Sequence, residues 1–62
     1  MEKADLERHL RRQGCYIDRD RGKHTVWINP ANNRKAPVPR HREIPNPTAR
    51  DICRQLGIPE IL

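Results

Sequence analysis

The sequence predicts a small α+β domain in which a helix, three antiparallel strands and a second helix follow one another, with both helices on one face of the sheet. Three observations carry that expectation. Apolar residues recur at helical spacing near both ends of the chain. Short runs of extended-favouring residues lie between them. Glycine- and asparagine-bearing turns separate those runs. At 62 residues the chain amounts to one domain, residues 1–62, with room for only a modest core.

The first helix is expected over residues 2–13, where Leu6 and Leu10 stand one turn apart with Ala4 nearby, and Gly14 supplies its stop. So few apolar positions mean that this helix needs tertiary packing to persist. Residues 15–19 alternate as a strand, and Asp20-Arg21-Gly22-Lys23 reads as a turn in which Gly22 is free to take positive φ. His24-Thr25-Val26-Trp27-Ile28 is β-branched and aromatic, the clearest strand in the chain. Asn29 to Asn33 is turn chemistry, and residues 34–38 return as a third strand. Pro37 and Pro39 cannot donate to a ladder, so that strand is expected at an edge or to end early. After a basic loop over residues 40–45, Asn46 reads as an N-cap with Pro47 at the first helical position. Ala49, Ile52, Cys53 and Leu56 form the apolar stripe of the last helix. Gly57 and Ile58 fit a Schellman ending, and Pro59 prevents continuation.

With no Phe, one Trp and one Tyr, the core must be aliphatic, and any active site shallow. Strand alternation places Val26, Ile28 and Ile17 inward, which sends Trp27 and Tyr16 outward, where they can stack on bases. Trp27 covering a sheet edge is the plainer reading. The same alternation puts His24 on the core side, reaching solvent only if it lies at the rim beyond the helices.

Thirteen basic against eight acidic residues give a net charge of +5. Between Arg19 and Arg42, seven basic side chains are opposed only by Asp20, a concentration that suits a polyanion. A merely solvated surface is the bland alternative. The chain opens on polar residues with no apolar run behind them and holds no stretch of bilayer length, so a cytoplasmic protein without membrane contact is expected. Cys15 and Cys53 then read as reduced, buried thiols. Neither they nor His9, His24 and His41 show metal-ligand spacing, so no metal and no cofactor are expected.

The helix–three strands–helix order with one open sheet face resembles the double-stranded-RNA-binding-domain fold. Gly22-Lys23-His24, Val38-Pro39-Arg40-His41 and the closing segment from Thr48 to Ile58, in that order and spacing, resemble the HicA (YcfA-like) family of toxin–antitoxin ribonucleases. The likeness spans nearly the whole chain. It implies a metal-independent endoribonuclease acting on messenger RNA, restrained by a HicB-type antitoxin, with His24 as the catalytic histidine. Three residues depart from the family pattern: Lys23 replaces a serine, Thr25 stands where a second histidine is common, and Pro47 replaces a glycine.

RNA carries its own nucleophile, the 2′-hydroxyl, so a ribonuclease must move protons and stabilise charge at phosphorus. Imidazole suits the first task because it titrates near neutrality, and fixed cations suit the second. His24 is therefore the expected general base or acid. Arg19, Arg21, Lys23, Arg34, Lys35, Arg40, His41 and Arg42, with Trp27, are the expected RNA-binding residues. His41 and Lys23 are the nearby candidates for protonating the leaving group. A non-catalytic RNA-binding module of the same fold, or a protein-interaction domain without nucleic-acid affinity, are the competing readings, and cleavage in the presence of EDTA separates them from the enzyme.

Overall fold

Helix α1 (Lys3–Arg12), strands β1 (Tyr16–Arg21), β2 (His24–Asn29) and β3 (Arg34–Pro39), and helix α2 (Asn46–Leu56) follow in the expected order. The computed structural model describes residues 1–61. The sheet is antiparallel throughout, with β2 in the middle. Leu6 and Leu10 of α1 and Ala49, Ile52, Cys53 and Leu56 of α2 join Trp27, Ala36 and Val38 in one buried cluster. Both helices therefore cover one face of the sheet and leave the other open.

Local chemistry explains where each element stops. Gly22 and Lys23 make a two-residue connection between β1 and β2, and Gly22 takes φ 53°, which a side chain would resist. At the end of α2, Gly57 adopts φ 70°, its N–H donates to the Arg54 carbonyl at 3.1 Å, and the Ile58 N–H donates to the Cys53 carbonyl at 3.0 Å. That is the expected Schellman ending. The start of α2 differs from expectation by one residue. Pro45 occupies the capping position and Asn46 is already helical, because the Asn46 side chain is turned elsewhere, its Oδ1 accepting from the Met1 ammonium at 3.3 Å. A β-bulge in β1 between Ile17 and Arg19 shifts its register against β2.

The alternation expected for β2 is reversed. Trp27 is fully buried between sheet and helices, flanked by buried Thr25 and Asn29, whereas Val26 and Ile28 are half-buried on the open face. Trp27 consequently has no surface to offer a base, contrary to its expected place among the RNA-binding residues. Packing decides this. The indole removes far more area from water than Val or Ile, and every polar atom brought in with it finds a partner. Trp27 Nε1–H donates to Thr25 Oγ1 at 3.2 Å, the Thr25 hydroxyl lies 3.5 Å from the Val38 carbonyl, and Asn29 Nδ2 donates to the Leu56 carbonyl at 2.8 Å. The Arg11 guanidinium of α1 stands 5.1 Å from the centre of the indole, a cation–π contact that closes the layer.

Candidate active site

Cross-strand pairing fixes what shares the open face. His24 lies opposite Arg21 on one side and Pro39 on the other, Val26 lies between Arg19 and Pro37, and Ile28 lies between Tyr16 and Lys35. Directly opposed residues in an antiparallel pair point to the same side. The open face therefore carries Arg19, Arg21 and Lys35 around a half-buried aliphatic strip, with exposed Tyr16 at one end and His24 at the other. The reversal that buries Trp27 is the same one that delivers His24 to solvent.

At the His24 end, Gly22, Lys23, His24, Arg40 and His41 line a concavity of ≈ 480 Å³. Arg40 organises its floor. Its backbone N–H donates to the Lys23 carbonyl at 3.2 Å, its Nε–H donates to the Gly22 carbonyl at 2.6 Å, and its Nη2 meets Asp20 Oδ1 at 2.7 Å. The guanidinium is thus spent largely on holding the turn that precedes His24. The ion pair is exposed and worth only ~0.2–1 kcal/mol in stability, so its importance is geometric.

The other expected cations divide. Arg19, Arg21 and Lys35 lie together on the open face, lining a second concavity with Val26, Ala36 and Pro37. Arg42 turns away towards the start of α1, where its carbonyl accepts from the Lys3 N–H at 2.8 Å and its side chain shares a depression with Glu2 and Glu7. Arg34 pairs with Asn29 at the far end of the sheet, and its guanidinium lies against Gly57. Neither joins the His24 group.

One acidic residue escaped the sequence reading. Asp18 sits in the bulge just outside the basic segment and folds onto the same face, 3.1 Å from Lys35 Nζ and 3.4 Å from Arg19 Nε. Its hydrogen bond to Lys35, together with the charges of Lys35 and Arg19, holds its carboxyl below the usual carboxylate range despite an opposing desolvation effect. The bulge is the signal that could have placed it, but a bulge leaves no mark in strand alternation.

The cysteines are both free and buried, and burial is the main cause that pushes each thiol up, with mutual repulsion adding to it for Cys15. Among the described residues no three His, Cys, Asp or Glu side chains are placed to hold a metal ion, and no helix is long and apolar enough to cross a membrane.

The sequence model of a family described as the HicA toxin of bacterial toxin–antitoxin systems matches residues 4–58. The chain belongs to the HicA toxin family. Comparisons with curated proteins and with solved structures returned no match. Membership makes the chain the toxin half of a toxin–antitoxin pair, with an antitoxin as its partner. The match runs from α1 to the turn after α2 and so takes in all three strands.

Proposed function

We propose that this HicA-family toxin is a metal-independent endoribonuclease that cuts messenger RNA in the cytoplasm, using His24 for proton transfer, and that a HicB-type antitoxin restrains it. The observation that supports this best is the position of His24. It is an exposed imidazole at the end of an open sheet face, with Lys23 beside it in sequence, Arg21 beside it across the strand, and a concavity that it lines together with Arg40 and His41. Arg19, Arg21 and Lys35 supply a cationic track leading to that point along which a polynucleotide backbone can lie.

In this reading the 2′-hydroxyl of the substrate attacks the adjacent phosphorus while imidazole takes up its proton, and Lys23 and Arg21 face the charge that builds on the non-bridging oxygens. The test is cleavage of RNA by the purified toxin with EDTA present. The wild type should cut, and His24→Ala should lose about 10²–10⁴-fold in rate, the range of one acid–base group. Because His24 is exposed, the variant should melt at the same temperature. RNA bound but not cut by the wild type would instead make the protein a binding module, and cutting abolished by the chelator would remove the metal-free chemistry.

A further inference from the structure

We infer that His41 is the second proton-transfer group of the site, the acid that protonates the departing 5′-oxygen while His24 acts at the 2′-hydroxyl. This rests on the assignment of His24 above and extends it to the other end of the reaction.

The placement comes from the end of the β2–β3 ladder. Pro39 is the cross-strand partner of His24, and the Arg40 N–H still donates to the Lys23 carbonyl one residue beyond the last strand position. Pairing therefore carries the chain past Pro39 in register with the turn. Continued in that register, His41, two residues after Pro39, falls on the same side of the ribbon as His24, in the diagonal position, whose separation of about 7–8 Å is within reach of long side chains. Two imidazoles at that spacing can bracket one phosphate. Both side chains are exposed and both line the same concavity.

Arg40 fixes this arrangement from behind. Its alternation is opposite to that of Pro39 and His41, and its guanidinium grips Asp20 and the Gly22 carbonyl. One residue thus ties the segment carrying His41 to the turn carrying His24.

Chemistry then selects His41 among the lining groups. The 5′-alkoxide is a poor leaving group and needs a proton as the P–O5′ bond breaks. A guanidinium does not release one, and a lysine ammonium, whose ordinary pKa lies more than three units above neutrality, is a weaker acid than an imidazolium. An imidazolium is suited to give one up. The O2′ proton passes to His24 as the O2′–P bond forms, the P–O5′ bond breaks, and O5′ receives the proton of His41. The products are a 2′,3′-cyclic phosphate and a free 5′-hydroxyl, and water exchanges the protons on the two rings.

The experiment uses the full-length toxin and a short RNA cut by the wild type at one mapped position, prepared also with sulfur in place of the bridging 5′-oxygen there. A thiolate departs without a proton. His41→Ala and His41→Gln should be about 10²–10³-fold slow on the oxygen substrate and should recover most of that loss on the sulfur substrate, with melting temperatures unchanged. His24→Ala should be slow on both. Wild-type rates for the His41 variants on oxygen RNA, or equal defects on both substrates, would overturn the role of His41 while leaving His24 in place. Wild-type rates for His24→Ala would overturn the underlying assignment instead.

Discussion

Trp27 is the residue on which the domain turns. It is the largest buried side chain, it touches both helices through the core cluster, and its N–H is satisfied by Thr25. Trp27→Ala should cost about 3–5 kcal/mol, the range for removing a large aromatic from a core. A domain of this size has only about 3–9 kcal/mol in total, so urea unfolding should find the variant largely unfolded before denaturant is added. The same residue shows where sequence reading gives out. Val26 and Ile28 have the stronger β-branched core signature, yet the pattern His-Thr-Val-Trp-Ile-Asn alternates equally well either way. Burial of the indole takes Thr25 and Asn29 inward with it, and the Val38 and Leu56 carbonyls that make this tolerable lie 13 and 27 residues away. His24 is a candidate through the family resemblance, whose pattern sets a histidine after the glycine turn; its exposure was not legible, because it followed from Trp27. Cys15 and Cys53 belong to this scale too. Buried, with thiols raised by desolvation, they should react with a thiol reagent at neutral pH only as fast as the domain opens, and promptly in denaturant.

At the scale of elements, the junction between the β2–β3 turn and the end of α2 joins the two halves of the fold. Asn29 Nδ2 and Asn32 Nδ2 both donate to the Leu56 carbonyl, at 2.8 and 3.1 Å, so one side chain from the end of β2 and one from the turn after it cap the last helix. Asn29→Ala removes the shorter, buried bond and also the acceptor of the Ala31 N–H, which should lower stability by about 1–3 kcal/mol. Asn32→Ala should cost less, because the carbonyl keeps Asn29. Gly57→Ala should be costly for two reasons: the left-handed φ, and a Cβ only 2.6 Å from Asn32 Nδ2, which would push that cap away. Denaturant midpoints of the three variants should rank accordingly. The ending itself was readable from Gly57-Ile58-Pro59, since glycine past a helix end is local chemistry. The two asparagine caps were not, because Asn29 to Asn33 signals a turn without naming what its side chains reach.

At the scale of the molecule, the open face concentrates positive charge, which on the proposed function is what a polyanion meets. Asp18 tempers that face by pairing with Lys35 and Arg19. Asp18→Asn should therefore tighten binding to single-stranded RNA several-fold at low salt, with the gain fading as salt is raised, measured by fluorescence anisotropy. The same pairing carries a pH signature. Because the folded carboxyl titrates below its unfolded value of about 3.9, its contribution to stability is present above that pH and is lost as the pH falls through the lowered folded value. The difference in denaturant midpoint between wild type and Asp18→Asn should hold steady near neutrality and close below about pH 4.

The two prolines of β3 and the bulge of β1 bear on this as well. Each sits on an outer strand of the sheet. Pro37 and Pro39 offer an incoming strand no N–H, and the bulge breaks the even spacing that such a strand would need on the opposite side. Neither border invites another chain to lengthen the sheet, so copies of the toxin are discouraged from zipping into fibres. On the proposed function, a partner that meets the sheet is left its open face, where His24 lies, and not its borders.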